Sequence, residues 1–237
     1  MAGTLYVVGT GPGDPELMTL KAARILGRTG CVCVPKGREE GSSLALSIIE
    51  KAVSLEGKEV VEALFPMRRS SDAAAGELEA AWDATAAAIL ERLDAGTDVA
   101  FVTIGDPSFY STFFYLYDRL LRAQPGLRIE IVPGVTSISA CASLARLALG
   151  LGDGRIAVLP ASRIADLRGI LAAFDTVVLM KAGSAIGEIA AALAEAGLLG
   201  KAVCVSHAGL EGERLWTDIA AVEPSDLDYF SMVIVKK

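Results

Sequence analysis

The chain has 237 residues, of which 52% are hydrophobic and 22% charged, and its formal net charge is −7 at pH 7. A chain of this length can bury a substantial core, in one large or two small α/β domains. The acidic balance, without any cluster of basic residues, argues against a nucleic-acid partner. No apolar run approaches the roughly 20 residues of a membrane span, and the first residues do not form a signal peptide. We therefore expect a cytoplasmic protein with neither a membrane nor a nucleic-acid partner.

Cysteine and histidine usage limits the metal and redox chemistry. Cys31, Cys33, Cys141 and Cys204 form no CxxC pair, so we interpret them as reduced, small core residues. With His207 as the only histidine, we expect no zinc or iron site built from His and Cys ligands.

Short β-branched runs alternate with longer amphipathic segments, which is typical of an α/β fold. In the first part of the chain, strands are predicted at Thr4–Gly9, Gly30–Pro35, Lys58–Ala63, Val99–Ile104 and Arg128–Val132. Helices are predicted at Pro15–Leu26, Ser42–Ala52, Asp72–Ala95, Phe109–Arg122 and Thr136–Leu147. The run at 99–104 is apolar except for Thr103, as expected of a strand buried on both faces.

The alternation continues after a glycine-rich linker candidate, GLGDG at 150–154. Strands are predicted at Arg155–Leu159, Thr176–Met180 and Ala202–Ser206, with helices at Ile164–Ala173 and Ala185–Ala196. Leu215–Val222 and Tyr229–Lys236 follow without a convincing helix between them, which favours antiparallel strands. We predict an N-terminal α/β domain over 1–148, a C-terminal α/β domain over 149–237, and a cofactor cleft between the two lobes.

The first glycine-rich turn is GTGPGDP at 9–15, directly after a predicted strand. Asp14 stands where the dinucleotide fingerprint GxGxxG has its third glycine, and its carboxylate would repel a pyrophosphate. The acidic residue that should hold a ribose at the end of the second strand is also missing. NAD binding is therefore disfavoured, and a tight turn that needs glycine for its backbone angles is the structural alternative.

Two further turns follow predicted strands: TIGDPSFYST at 103–112 and PGVTS at 133–137. Ligands of open α/β sheets bind at the carboxyl ends of the strands. Asp106 offers a carboxylate to an ammonium group or to ribose hydroxyls; the alternative is that it caps the next helix. We predict that the three turns converge on one ligand.

These motifs carry a family resemblance. GTGPGDPELMTLKA, IGDPSFYSTF, PGVTSISA and VLMKAG resemble, in order and spacing, the cobalamin-pathway tetrapyrrole methylases, and the resemblance covers essentially the whole chain. TIGDPSFYSTFFYL and FPMRRS are most similar to the members that methylate C-20 of precorrin-2 or cobalt-factor II. The resemblance implies the two-domain tetrapyrrole methylase fold, S-adenosylmethionine as cofactor with S-adenosylhomocysteine as product, and a homodimer.

Carried over residue by residue, the resemblance implies cofactor contacts from Pro12, Gly105, Asp106, Phe109, Thr136, Ser137, Met180 and Ala208. The segment His207-Ala208-Gly209 departs from the Asn-Gly-Thr often found there, so Ala208 has the weakest support. Asp14 and Tyr110 are expected to face the macrocycle. Both are also candidates for a general base that removes the C-20 proton, a role that water could serve instead. The catalytic residue is left unassigned, because the sulfonium methyl is already an activated electrophile.

The implied substrate is a polycarboxylate, so basic groups must attract it despite the net negative charge. Lys36 with Arg38, and the pair Arg68 and Arg69, follow predicted strands and are candidates for carboxylate contacts. Solvated surface charges are the alternative. The aromatic segment 109–117 indicates either a buried helix, or a dimer interface or ligand wall.

Other functions remain open at this point. One is another tetrapyrrole methylase of the same fold, or a methylase that, like diphthine synthase, modifies a protein. A nucleotide-binding oxidoreductase or nucleotide sensor is a third class.

Overall fold

The computed structural model describes residues 2–37, 43–65, 72–161, 164 and 166–237, with 72–75 as backbone only. They form two compact units, Met1–Thr136 and Ser137–Lys237. The division assigns the helix that follows the PGVTS turn to the second unit. The domain boundary that we predicted after residue 148 stays a prediction.

The first unit contains a five-stranded parallel sheet in the order β3-β2-β4-β1-β5. Its strands are β1 Leu5–Gly9, β2 Cys31–Lys36, β3 Glu59–Leu64, β4 Val99–Thr103 and β5 Ile129–Val132. Its α-helices are α1 Leu20–Arg28, α2 Leu44–Ala52, α3 Asp72–Asp94 and α4 Phe114–Ala123. Every residue of β4 is buried, which confirms the prediction made from its apolar run.

Both faces of this sheet are covered by helices. On one face Phe101 packs with Ile89 of α3 and Leu116 of α4, and on the other Val8 packs with Ile25 of α1. Fully burying one such side chain contributes about 1.5–3 kcal/mol relative to leaving it exposed. The four cysteines are free and buried, as predicted.

Two predicted helices begin later than expected. The segment Pro15–Leu26 is a short 3-10 helix at Pro15–Leu17 followed by α1, because Asp14 caps the first piece and Thr19 caps the second. The segment Phe109–Arg122 becomes helical only at Phe114. Tyr110 has a φ of 53°, which a right-handed helix cannot accommodate, so residues 104–113 form an extended turn instead.

The second unit holds a mixed five-stranded sheet in the order β6-β7-β10-β8-β9. Its strands are β6 Ile156–Pro160, β7 Thr176–Met180, β8 Ala202–Ser206, β9 Arg214–Trp216 and β10 Ser231–Lys236. Its helices are α5 Ser137–Leu144, α6 Leu167–Ala173 and α7 Ile186–Glu195. β10 runs antiparallel to β7 and β8, and β9 runs antiparallel to β8. The predicted antiparallel ending is thus confirmed, but the strand predicted at 215–222 is only the short β9, followed by a 3-10 turn at Ile219–Ala221.

Within the described part of the chain, no helix has the length and apolar character needed to span a membrane.

Candidate functional site

Three turns meet at the carboxyl edge of the first sheet, because β1 lies between β4 and β5 and all three strands run parallel. The first two turns are joined by backbone hydrogen bonds. The amide of Gly105 donates to the carbonyl of Gly11 at 2.7 Å, and the amide of Gly11 donates to the carbonyl of Gly105 at 3.3 Å. The first two turns are therefore joined within the fold, and their convergence with the third on one ligand stays a prediction.

The third turn approaches the other two so closely that Gly134 has no room for a side chain. A Cβ at Gly134 would lie 2.2 Å from the carbonyl oxygen of Gly105 and 3.0 Å from Cα of Gly9. Both neighbours are backbone, which cannot move aside cheaply. Gly134 is therefore required for packing between the turns, whether or not a ligand lies against it.

Asp106 holds two of the turns together. Its Oδ2 accepts a hydrogen bond from the amide of Gly134 at 2.9 Å, and its Oδ1 accepts from the amide of Ser108 at 2.8 Å and from the Ser108 hydroxyl. The residue is 9% exposed. Burial raises the pKa of the Asp106 carboxyl, but the hydrogen bonds from Ser108 and Gly134 lower it by more. The pKa therefore lies below its ordinary value.

Asp106 does not cap the next helix, which was the alternative to ligand binding. Helix α4 begins at Phe114, its cap residue is Phe113, whose side chain makes no capping hydrogen bond, and the amide of Phe113 donates to Ser111 rather than to Asp106. The Asp106 side chain instead accepts a hydrogen bond from the amide of Ser108, two residues later, and so closes a local turn. Ser108 is a site residue that the sequence analysis missed, although a serine two positions after an aspartate is the pattern that could have shown it.

Phe109 and Tyr110 lie on the second turn with their side chains exposed. Their rings contact each other edge to face, with centroids 6.4 Å apart. Tyr110 keeps a positive φ, an uncommon and costly conformation for a bulky residue, which persists only where the surroundings enforce it. The turn thus presents aromatic surface at the edge where the three turns meet.

On the first turn, Pro12 is buried and Asp14 is half-buried. Asp14 Oδ1 accepts a hydrogen bond from the amide of Glu16 at 2.9 Å, so at least part of its role is to cap the short helix that follows. Thr136 closes the first unit, and Ser137 is the first residue of α5 in the second unit.

The second unit carries the two remaining predicted cofactor contacts. Met180 ends β7, and Ala208 follows β8 and is buried. The residues next to them, Lys181 with φ 57° and His207 with φ 55°, both have left-handed backbone. Histidine is one of the residue types enriched in this conformation and lysine is not, and the sequence pattern alone indicated neither position.

Lys36 is paired within the protein. Its Nζ lies 2.9 Å from Oε2 of Glu62 and its side chain is 14% exposed. The neighbouring parallel strands β2 and β3 bring the two residues to the same edge. The other predicted carboxylate contacts, Arg68 and Arg69, and also Arg38, lie outside the described residues.

In the ranges that the structure describes, no group of three or more His, Cys, Asp or Glu side chains is arranged to hold a metal ion. The thiols are held in their protonated form, since burial raises the pKa of Cys31 to about 11 and those of Cys141 and Cys204 to about 12. What the first unit offers is a set of backbone turns, a buried carboxylate and exposed aromatic rings, which suits binding and orientation.

Comparison with known proteins agrees with this geometry. The family model for Tetrapyrrole (Corrin/Porphyrin) Methylases matches residues 4–222. A cobalt-precorrin-2 C(20)-methyltransferase of Salmonella typhimurium is 41% identical over 100% of this chain and 98% of its own. A precorrin-2 C(20)-methyltransferase of a Sinorhizobium species is 34% identical over 98% of this chain and 95% of its own.

Among solved structures, a uroporphyrin-III C-methyl transferase from Thermus thermophilus, complexed with S-adenyl homocysteine, has a TM-score of 0.68. It covers 99% of this chain and 98% of its own length at 24% identity. This likeness shows that the two proteins share a fold.

Proposed function

The chain belongs to the tetrapyrrole methylase family, and we propose that it transfers a methyl group from S-adenosylmethionine to C-20 of precorrin-2 or its cobalt-containing counterpart, in cobalamin biosynthesis. The observation that carries the proposal is end-to-end similarity, at 41% identity, to a cobalt-precorrin-2 C(20)-methyltransferase. The convergent turns at the edge of the first sheet support it, since they form the kind of ligand edge that such an enzyme needs.

The residues present fit this cofactor. The turns at 10–13, 104–112 and 133–136 bring backbone amides and carbonyls together, and Phe109 adds an exposed ring beside them. S-adenosylmethionine, a nucleoside attached to an amino acid, needs both hydrogen-bonding backbone groups and an aromatic surface. We propose that the cofactor is held by the eight residues inferred from the resemblance: Pro12, Gly105, Asp106, Phe109, Thr136, Ser137, Met180 and Ala208.

Bound S-adenosylmethionine supplies a methyl group on a sulfonium centre, which is reactive towards an electron-rich ring carbon. The protein's main task is then to hold the two reactants in line, and orientation of this kind can contribute about 7–11 kcal/mol. A buried, internally bonded Asp106 and a strained Tyr110 both indicate turns of fixed shape. We assign no catalytic base.

For the substrate, we propose contacts from Asp14 and Tyr110 to the macrocycle, and from Arg68, Arg69 and Lys36 to its carboxylates. Lys36 is the weakest of the basic candidates, because Glu62 already neutralises it at 2.9 Å. A substrate carboxylate would have to compete with Glu62 for the ammonium group. Arginine can bind a carboxylate through two parallel hydrogen bonds, which favours Arg68 and Arg69 for this role.

We also propose a cytoplasmic homodimer. Phe114 and Tyr115 on α4 expose large aromatic side chains, and aromatic residues are enriched in the buried centre of protein interfaces. Light scattering after size exclusion would test the dimer independently of activity.

The function is tested with purified protein, labelled S-adenosylmethionine, and both macrocycles, metal-free and cobalt-loaded. We expect label to enter at least one of them, and calorimetry to detect binding of S-adenosylhomocysteine but not of NAD. Binding of NAD instead would indicate a nucleotide-binding oxidoreductase and contradict the proposal.

A further inference from the structure

The segment 228–231, which leads into β10, connects the ends of β7 and β8 in the second unit. The amide of Ala182, just after β7, donates to the carbonyl of Ser231 at 2.9 Å. The amide of His207, just after β8, donates to the carbonyl of Phe230 at 3.1 Å. The backbone that follows Met180 and the backbone that precedes Ala208 are therefore both anchored to this one segment.

A closed ring of hydrogen bonds joins this segment to the end of β8. Its members are the side chains of Ser206, His207, Asp228 and Ser231 and the backbone amide of Asp228. The Asp228 amide donates to Ser231 Oγ at 3.1 Å, and Ser231 Oγ lies 3.2 Å from Ser206 Oγ. Ser206 Oγ lies 2.9 Å from Nδ1 of His207, and Nε2 of His207 lies 3.2 Å from Oδ2 of Asp228. Ser206 and Ser231 are each 1% exposed, so the ring is anchored in the protein interior.

The partners of the imidazole favour one form of the neutral ring. A carboxylate only accepts, so a proton on Nε2 satisfies the contact to Asp228 and leaves Nδ1 to accept from the Ser206 hydroxyl. A backbone amide only donates, so Ser231 accepts from Asp228 and is free to donate to Ser206 in turn. Every group in the ring is satisfied in this arrangement, and hydrogen bonds that run in one direction reinforce one another.

Two aromatic rings are carried on the segment that this network holds. Tyr229 and Phe230 contact each other edge to face at 5.4 Å, and both are exposed. His207 lies 5.7 Å from Phe230, centroid to centroid, and Lys181 Nζ lies 4.9 Å from the Tyr229 centroid. The left-handed residues Lys181 and His207 thus each support one ring of the pair. Purine bases stack readily on aromatic side chains.

We propose that His207 is a positioning residue for the nucleoside half of S-adenosylmethionine. Through Asp228 it holds the Tyr229–Phe230 pair beside the strand ends that carry Met180 and Ala208. The inference rests on the proposed function, and it adds a role for the one histidine and for a segment that the family motifs do not include. Two charged side chains contact neighbouring residues: Glu213 accepts from the amide of Gly209 at 2.7 Å, and Lys181 Nζ lies over the Tyr229 ring.

The test uses two variants that remove the His207–Asp228 contact in different ways. His207→Gly keeps the left-handed backbone without strain and removes the ring, and Asp228→Asn removes the carboxylate. We expect each to weaken binding of S-adenosylhomocysteine about tenfold in a calorimeter. The double variant should lose less affinity than the sum of the two single losses, since both changes break the His207–Asp228 contact. Glu195→Gln, which breaks an exposed ion pair between α6 and α7, is the matched control and should bind like the wild type.

A spectroscopic signature separates positioning from a loss of folding. In the ¹⁵N spectrum of the single imidazole at about pH 8, where an ordinary histidine is neutral, we expect a protonated Nε2 and an unprotonated Nδ1. The signals should move when S-adenosylhomocysteine binds. Full affinity in folded His207→Gly and Asp228→Asn would overturn the inference and leave the proposed function intact. A wild type that binds no S-adenosylhomocysteine would overturn both.

Discussion

Asp106 was predicted to offer its carboxylate to a ligand, and both of its oxygens are already used within the protein. The aspartate could be recognised from its place in a glycine turn at the end of a buried strand. Its partner Gly134 could not be recognised, because that contact spans 28 residues of sequence. The need for glycine at 134 was equally hidden, since the oxygen that excludes a side chain belongs to Gly105.

Replacing Asp106 by alanine should weaken S-adenosylhomocysteine binding at least tenfold, or about 1.4 kcal/mol. The change leaves the amides of Gly134 and Ser108 without their acceptor and frees two turns to move apart. Calorimetry measures the affinity, with circular dichroism to check the fold. Asp118→Ala, which removes an exposed carboxylate from α4, is the control. Wild-type affinity in a folded Asp106→Ala protein would show that neither the carboxylate nor the turn geometry matters for binding.

The lowered pKa of Asp106 has a consequence for stability. A carboxyl whose pKa is lower in the folded state than in the unfolded chain stabilises the fold above the unfolded pKa, and this contribution is lost as the pH falls through the folded pKa. The stability difference between wild type and Asp106→Asn should therefore be largest near neutral pH and shrink below about pH 4. Urea unfolding at several pH values measures it. A difference that grows towards acid would contradict the assignment.

Gly134→Ala should destabilise the protein by about 1–3 kcal/mol, the usual cost of overpacking, because the new methyl group would collide with the backbone of two other turns. Gly126→Ala is the matched control, since a Cβ there meets nothing within 4 Å. Thermal unfolding compares the two. Equal melting temperatures would mean that the turns can separate without cost.

At the scale of elements, the apolar runs identified the buried strands β1, β2 and β4 well, because a parallel strand covered on both faces must be apolar throughout. Helix starts were less predictable. The apolar spacing of 109–122 is that of a helix. Tyr110 nevertheless adopts a left-handed backbone conformation, and the helix begins only at Phe114. Which residue takes such a conformation depends on contacts of the whole turn with other strands, which local spacing does not encode.

The electrostatic prediction concerns Arg68 and Arg69, which follow β3 in the sequence. If Arg68 and Arg69 bind substrate carboxylates, replacing both by alanine should raise the KM for the macrocycle and leave cofactor affinity unchanged. Each lost charge-assisted bond would cost about 1.5–3 kcal/mol if desolvated. Added salt should weaken substrate binding more in the wild type than in the variant, because screening acts on the attraction that the variant lacks.

Lys36→Ala is the comparison for this experiment. Because Lys36 is neutralised by Glu62, its loss should raise KM less than the loss of the arginine pair. If added salt raised the KM for the macrocycle equally in the wild type and in the arginine variant, Arg68 and Arg69 would be solvated surface charges that do not contact the substrate.

At the scale of the whole molecule, the proposed function requires a chain with a net charge of −7 to bind a polycarboxylate, which it can do only through local basic groups. Its family follows from a match over residues 4–222, and every turn that suggested the family lies within that range. Sequence motifs identified the turns that meet at the carboxyl edge of the first sheet. The ring of hydrogen bonds around His207 required coordinates, since its members lie on β8, β10 and the segment between β9 and β10.

The central claim is that this protein methylates C-20 of the macrocycle, and the position of the new methyl group tests it most directly. The wild-type protein is incubated with S-adenosylmethionine carrying a ¹³C-labelled methyl group and with precorrin-2 in its metal-free and cobalt-loaded forms, and the product is analysed by NMR. We predict a single labelled methyl group, bonded to C-20. A label bonded to any other ring carbon would contradict the account, as would turnover of neither macrocycle by a protein that binds the cofactor.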